Sequence, residues 1–297
     1  MTELQTLNRI GEKFDVALRI NVDRAVPVEK GGRVMTGGMD KFGFTADDAS
    51  KILLGRGKYK NLNFVGFHFY LGTQMLSPKT WLKGAESYAR CVAKICQEAG
   101  FTARYLNFGG GLGIPYRTGE RELSLDALEK GVKKLERFIS GVDELSGAKL
   151  YMEPGRYLIG SAGVYVTRVV AVKNIRGTDF ALTDGGIHHA LFPFRVSREF
   201  PAFRVDGKAG RPRRYVLGGP LCTTLDQSDL PLSLPELKEG SLIAVGNSGA
   251  YGYATGMHFF LSHPLPAEVL LDGGEFYMIR EPSVSEHLFR LQTRRKL

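Results

Sequence analysis

The feature that most constrains the fold is an alternation of apolar, strand-like segments with amphipathic helical segments in the first half of the chain. The predicted strands are residues 14–22, 62–70, 105–108 and 148–152. The helices between them are residues 45–54, 80–99 and 124–139, and a short amphipathic segment at 2–10 precedes them all. The helices carry capping residues, and the connections are long enough for crossovers between parallel strands. This pattern predicts an α/β region with a parallel sheet.

After Arg156 the pattern changes to short β-rich segments separated by turn residues. These segments are residues 163–173, 180–183, 214–216, 241–245 and 268–271, and helical periodicity returns only at 285–291. We therefore predict an α/β domain at 1–157 and a β domain at 158–297. Four strands do not close a barrel, which usually has eight, so the first domain is either half of a barrel or an open doubly wound sheet.

Two of the predicted strands end in turns that suit a phosphorylated ligand. The turn NFGGGLG at 107–113 would let backbone N–H groups approach a phosphate closely. In the second turn, EPGR, Glu153 suits a protonated ring nitrogen and Arg156 matches phosphate oxygens. Taken alone, EPGR could also be a surface turn with an incidental ion pair. The two turns together suggest a phosphorylated, nitrogen-containing cofactor.

Bulk properties exclude several classes of protein. The 297 residues carry 40 Lys and Arg against 31 Asp and Glu, a net charge of +9, but without the basic stripe and exposed aromatics that are typical of nucleic-acid binding. A basic surface would instead attract an acidic protein or an anionic substrate. Three cysteines do not form a disulfide framework, and no signal peptide or long apolar run is present. We expect a soluble cytoplasmic protein that does not contact a membrane.

With these motifs in order, the chain resembles the fold-type III pyridoxal-phosphate decarboxylases, which include diaminopimelate, ornithine and arginine decarboxylases. The motifs that carry the resemblance are LRINV at 18–22, KFGF at 41–44, GFHFYLGTQ at 66–74, NFGGGLG at 107–113, EPGR at 153–156, GPLC at 219–222 and GAYG at 249–252. The resemblance implies strands 5–8 of an alanine-racemase-like TIM barrel, followed by a β-barrel or sandwich domain. It also implies a cytoplasmic homodimer that uses pyridoxal 5'-phosphate.

The resemblance also assigns roles to individual residues. Glu153 would keep the pyridine nitrogen protonated, and the glycines with Arg156 would hold the phosphate. Cys222, supplied in this family from the other subunit, would act as the catalytic proton donor. The residues expected to contact the cofactor are Tyr70, Thr73, Gly109, Gly110, Gly111, Glu153, Pro154, Gly155, Arg156 and Tyr251.

The largest departure from the family is the absence of strands one to four, because the first of them ends in the Schiff-base lysine. No lysine of this chain matches that position. The chain could be a fragment, could be completed by a separate N-terminal half, or could be a non-catalytic protein that keeps the decarboxylase surface and binds partners.

Substrate recognition departs as well. Thr223 follows Cys222 where diaminopimelate enzymes have a Glu, and Phe192 stands where they have an Arg. An unpaired buried charge is costly, so these changes argue against a substrate with a charged distal end. We expect Phe192, Thr223 and Asp226 to contact the substrate, which would be an amino acid without a charged distal end, such as one tethered to an acyl carrier protein. The alternative is a free diaminopimelate- or ornithine-type amino acid.

Tyr70 and four histidines are further candidates for the site. Tyr70 occupies the position of a His that often stacks on the cofactor ring, and an aromatic face can still stack there. The four histidines at 188, 189, 258 and 263 lack the spacing of metal ligands, so no metal site is expected. They are interpreted as polar surface or substrate-pocket residues.

Overall fold

The computed structural model describes residues 2–22, 33–34, 41–117, 119–191, 194, 199–205, 210–290 and 292–293, apart from the side chains of 33, 34 and 288. The chain divides into two compact units. The N-terminal unit contains Met1–Pro115 and Arg121–Leu158, and the C-terminal unit contains Tyr116–Glu120 and Ile159–Leu297. Within the described part of the chain, the helices are too short or too polar to span a lipid bilayer.

The N-terminal unit is built on a parallel four-stranded sheet. Its strands are β1 (Phe14–Arg19), β3 (Leu62–His68), β5 (Tyr105–Asn107) and β6 (Lys149–Tyr151), and they lie side by side in chain order. All three neighbouring pairs are parallel. A small antiparallel pair, β2 (Arg33–Val34) with β4 (Gly72–Thr73), completes the strands of this unit. The predicted parallel α/β region is confirmed.

Helices connect these strands, and their ends follow from the local sequence. They are α1 (Thr2–Ile10), α2 (Ala46–Leu54), α3 (Pro78–Ala99), α4 (Leu125–Ser140) and the short α5 (Gly155–Ile159). Thr45, Ser77 and Ser124 each cap a helix by accepting a hydrogen bond from a backbone N–H in its first turn. Gly100 ends α3 in the left-handed conformation, with φ 55°.

The core of the N-terminal unit lies between the sheet and helices α2, α3 and α4. Phe67 and Leu106 of the sheet and Tyr88 of α3 are completely buried in it. Tyr88 stacks on Phe69 at a centroid distance of 4.7 Å and meets Phe108 edge-on at 5.3 Å. Phe69 and Phe108 directly follow β3 and β5, so the loops after both strands begin at well-packed aromatic residues.

The C-terminal unit is mainly β, as the sequence predicts. Its six-stranded sheet has the order β11-β10-β8-β7-β12-β9, in which only the β8–β10 pair is parallel. The strands are β7 (Tyr165–Ile175), β8 (Thr178–Thr183), β9 (Ala202–Arg204), β10 (Arg213–Gly218), β11 (Leu232–Leu234) and β12 (Leu242–Val245). A short helix, α6 (Ser285–Phe289), lies within the predicted segment 285–291.

A separate hairpin, β13 (Glu268–Asp272) with β14 (Glu275–Arg280), pairs with no other described strand. Its large apolar side chains are exposed on both strands, for example Leu271 at 60% and Phe276 at 76%. The sequence predicts β13 but not β14. The apolar side chains of the hairpin are therefore largely uncovered by the described part of the chain.

Candidate active site

The glycine turn follows β5 and is packed so closely that side chains have no room. Gly109 and Gly111 have φ values of 65° and 102°, which favour glycine. A Cβ on Gly109 would lie within 3.0 Å of the carbonyl oxygen of Phe69, and one on Gly110 equally close to that of Glu153. The turn is thus fixed against the ends of β3 and β6.

Asn107 joins this turn to the Glu153 carboxylate. Its Oδ1 accepts a hydrogen bond from the N–H of Gly109 at 2.8 Å, and its Nδ2 donates to Glu153 Oε1 at 2.7 Å. Nδ2 also donates to the hydroxyl of Tyr105 at 2.9 Å. Asn107 is 5% exposed, whereas the Glu153 side chain is 57% exposed. One buried amide therefore holds a carboxylate that remains open to a ligand.

His68, at the end of β3, is a site residue that sequence reasoning missed. Its Nε2 lies 3.7 Å from Glu153 Oε1. Burial lowers the pKa of His68, the Glu153 carboxylate opposes that shift, and the Arg19 guanidinium adds to it. The neutral imidazole is thus favoured. A signal was present, because His68 and Tyr70 are two residues apart and side chains of an extended chain alternate in direction.

Two more predicted cofactor residues lie on the segment after β3. A Cβ on Gly109 would come within 3.0 Å of the Tyr70 ring, so this ring borders the glycine turn. A Cβ on Gly111 would come within 3.0 Å of the carbonyl oxygen of Gly72, which is the neighbour of Thr73 on β4. The N-terminal unit thus brings Tyr70, the strand that carries Thr73, the three glycines and Glu153 together.

The rest of the EPGR motif forms the start of α5. The N–H of Gly155 donates to the carbonyl of Glu153 at 2.8 Å, which closes a tight turn around Pro154. Arg156, in α5, is only 7% exposed. Burial of a guanidinium in this way is uncommon for a surface turn.

In the C-terminal unit, Cys222 lies exposed on a turn between β10 and β11. The Thr223 hydroxyl accepts a hydrogen bond from the N–H of Leu225 at 3.2 Å. Asp226 is 1% exposed, and its carboxylate accepts hydrogen bonds from two backbone amides. This geometry favours a structural role for Asp226 over the predicted substrate contact. Phe192 lies outside the described residues.

Tyr251, the predicted cofactor residue of this unit, has an unusual backbone conformation. Its φ is 57°, in the left-handed region, and its carbonyl accepts a hydrogen bond from the Thr255 hydroxyl at 2.6 Å. Its side chain is 48% exposed. A non-glycine residue with positive φ is uncommon, and such residues cluster at functional sites.

Four histidines of the C-terminal unit form a cluster. The ring of His188 lies 4.0 Å from that of His189 and 5.4 Å from that of His263, measured between centroids. His188 is 1% exposed, so the interpretation as a surface residue is wrong for it. Burial, with a further contribution from the neighbouring histidines including His258, lowers the pKa of His188 to about 3. The imidazole is therefore neutral at physiological pH.

A glycine turn and a carboxylate at adjoining ends of parallel strands, together with a separate β unit, are the arrangement of a fold-type III pyridoxal-phosphate enzyme. The family described as pyridoxal-dependent decarboxylase, pyridoxal binding domain, matches residues 1–160. The chain belongs to this decarboxylase family, whose cofactor is pyridoxal phosphate.

Individual relatives agree with this assignment. An L-glutamyl-[BtrI acyl-carrier protein] decarboxylase of Niallia circulans is 30% identical over 98% of this chain and 70% of its own length. A diaminopimelate decarboxylase of Aquifex aeolicus is 31% identical over 94% of the chain and 65% of its own length. The crystal structure of Helicobacter pylori diaminopimelate decarboxylase complexed with L-lysine matches with a TM-score of 0.82 at 26% identity, covering 98% of this chain and 71% of that one. The chain thus spans about two thirds of the length of these relatives.

The residues of the N-terminal unit fit the cofactor. Within the described part of the chain, the N–H groups of Gly110 and Gly111 donate no hydrogen bond, so both are available to phosphate oxygens. The Glu153 carboxylate is held in place yet exposed, as a partner for a protonated ring nitrogen must be. Donors for an anion and an acceptor for a cation thus lie on touching loops, which is the chemistry that pyridoxal phosphate requires.

Proposed function

We propose that this chain is the C-terminal part of a pyridoxal-phosphate-dependent amino-acid decarboxylase that acts as a homodimer. Its four parallel strands would be strands 5–8 of a TIM barrel. Strand order supports this view, because β1, β3, β5 and β6 follow one another without the reversal that defines a doubly wound sheet. The observation that carries the proposal is the contact of the glycine turn with Glu153 through Asn107.

Each residue then has a defined task. Glu153, whose Oε1 is held by Asn107, would accept a hydrogen bond from the protonated pyridine nitrogen, and the N–H groups of Gly110 and Gly111 would bind phosphate with Arg156. Tyr70 offers an aromatic face beside the glycine turn. When bound, pyridoxal phosphate supplies an electron sink for the electrons left behind when CO₂ departs. Cys222 Sγ would hold the proton that replaces CO₂ on the substrate carbon.

The proposed substrate is an amino acid whose distal end is uncharged because it is tethered to an acyl carrier protein. Thr223 and Phe192 replace the charged residues that the family uses to bind a charged distal end. The similarity to a decarboxylase of a carrier-bound glutamyl group supports this choice, and the net charge of +9 suits an acidic carrier.

A free amino acid of the diaminopimelate type is the second candidate, supported by the similarity to several diaminopimelate decarboxylases. Release of CO₂ from a carrier-bound amino acid, but not from the free one, would favour the tethered substrate. The opposite result would favour the second candidate.

Activity requires a lysine that holds the cofactor, which we propose to come from an N-terminal half, upstream on a longer chain or on a separate polypeptide. With pyridoxal phosphate added, we expect the chain alone to show no visible absorbance from a lysine-bound cofactor, which is the absorbance that borohydride would remove. That absorbance should appear after the chain is mixed with the N-terminal half. Absorbance from the chain alone would contradict the proposal.

Cys222→Ala tests the proposed proton donor. We expect turnover in the assembled enzyme to fall by about a hundredfold, the typical contribution of a positioned general acid. Cofactor affinity, measured by fluorescence titration, should stay unchanged because the proposed task of Cys222 is to protonate the substrate and not to hold the cofactor. Cys91→Ala, on α3, is the matched control. Equal losses of turnover and affinity would contradict the role of Cys222.

A further inference from the structure

Asp226 makes several of the hydrogen bonds that close the turn carrying Cys222. The N–H of Leu221, next to Cys222, donates to Asp226 Oδ2 at 2.8 Å. The N–H of Gly219 donates to the carbonyl of Asp226 at 2.9 Å, and the N–H of Asp226 donates to the carbonyl of Thr223 at 3.1 Å. Both ends of the turn are thus tied to Asp226, and Cys222 lies between them.

The same carboxylate also holds a second segment. Its Oδ1 accepts a hydrogen bond from the N–H of Ile187 at 2.8 Å, immediately before the buried His188. Ile187 is separated from Asp226 by 39 positions in the chain. One side chain therefore connects the Cys222 turn to the loop that leads into the histidine cluster.

The two glycines that border the carboxylate show how closely it is enclosed. A Cβ on Gly186 or on Gly219 would lie within 3.0 Å of Asp226 carboxylate atoms. Asp226 itself is 1% exposed. Both of its oxygens thus accept from backbone amides, and surrounding backbone keeps solvent away. A carboxylate in this position has no open side for a substrate ammonium.

We infer that Asp226 is a positioning residue, which fixes the backbone at Cys222 and at His188 at the same time. The inference rests on the proposed function in so far as Cys222 is the proposed proton donor. Charge-assisted hydrogen bonds to backbone N–H groups are about twice as strong as neutral ones, which suits a group that must hold a turn still. The Thr223 hydroxyl, by contrast, accepts a hydrogen bond only from Leu225, inside the same turn, among the described residues.

Hydrogen exchange of the purified chain tests the double connection without any need for activity. In Asp226→Ala we expect the amides of Leu221 and Ile187 to exchange about tenfold faster, because both lose their acceptor. Asp226→Asn, which keeps the shape, should show a smaller change at the same two amides. Gly219→Ala should reproduce the effect, because its methyl group displaces the carboxylate. Thr223→Ala is the control and should leave the amide of Ile187 unchanged.

Alkylation of Cys222, measured at the peptide level by mass spectrometry, tests the positioning of the thiol. Loss of Asp226 removes the acceptor of the Leu221 N–H, so the backbone beside Cys222 is no longer fixed and the thiol can meet the reagent in more orientations. We expect Cys222 to react about threefold faster in Asp226→Ala, with the rate at Cys91 unchanged as an internal control.

Faster exchange at both amides, with faster alkylation of Cys222 alone, supports the inference. Unchanged exchange at Ile187 in Asp226→Ala overturns it, as does an unchanged rate at Cys222. Neither result depends on the effect of Cys222→Ala on turnover, which tests the proposed function separately.

Discussion

The candidate residues of the N-terminal unit follow three neighbouring parallel strands, β3, β5 and β6, whereas Cys222 of the C-terminal unit lies on a turn between antiparallel partners. Asn107 ends a strand whose neighbours on both sides are paired, and the glycines beside it are packed against backbone. Cys222 is exposed, and its turn is closed by one buried carboxylate. The first arrangement spreads the constraint over many contacts, and the second concentrates it in Asp226.

This difference suits the different tasks proposed for the two regions. A cofactor must be held in one place throughout the reaction, and the residues proposed to bind it are fixed by close packing of the glycine turn and by the Asn107 amide. A proton donor must meet solvent or a second subunit to recover its proton, so its thiol is accessible and only its backbone is fixed.

The largest effect is expected where the N-terminal unit is most crowded. Gly110→Ala should lower the free energy of unfolding by about 3 kcal/mol, because its Cβ would overlap the carbonyl of Glu153 and one of the two loops must move. Urea denaturation measures this change. Gly147→Ala, where a Cβ would meet no atom within 4 Å, is the matched control and should be close to neutral. Equal effects of the two changes would contradict the close packing of the turn.

A smaller effect is expected at the amide that joins the turn to Glu153. Asn107→Ala should cost about 2 kcal/mol, because the buried N–H of Gly109 loses its acceptor. It should also weaken binding of pyridoxal phosphate, because nothing then fixes the carboxylate. Asn63→Ala removes a surface amide that donates to Asp15 and should cost well under half as much. If cofactor affinity did not change in Asn107→Ala, the proposed role of Glu153 would be in doubt.

The smallest effect concerns pH and the C-terminal unit. The pKa of His188 is lowered by burial to about 3, from 6.5, so the unfolded chain binds the proton more readily than the folded one. The stability contributed by neutral His188 is therefore complete above pH 6.5 and is lost as the pH falls toward 3. Between pH 6.5 and about 5.5 the loss should be about 1 kcal/mol.

His188→Leu should remove this part of the pH dependence, as followed by thermal unfolding across the same range. His287→Leu changes an exposed histidine of the same unit and is the control. It should leave the dependence of stability on pH as it is in the unmodified protein. A slope that survived in His188→Leu would show that other groups of the cluster carry the proton.

The order of helices and parallel strands could be predicted because each element has a local signature. Thr45, Ser77 and Ser124 cap their helices, and Gly100 ends α3. The short strands β9 and β11 were missed because three residues are too few for a periodic pattern. Strand β14 was missed even though Gly273 and Gly274 precede it as a hairpin turn.

The site could be predicted only as a set of residue types. The three glycines and Glu153 could be found from the turn chemistry, but the partners of Asn107 and Asp226 could not be. These contacts join residues 46 and 39 positions apart, and no local pattern specifies which backbone amide a buried side chain will meet. His68 was overlooked because it has no spacing typical of a metal or acid–base pair.

The β13–β14 hairpin has a practical consequence for anyone who handles this polypeptide. Phe276, Met278 and Ile279 are exposed over more than half of their surface, on a ribbon whose edges pair with no other strand in the described part of the chain. Exposed strand edges and apolar faces of this kind promote aggregation. Samples should therefore become turbid as they are concentrated, and Ile279→Lys should delay the onset.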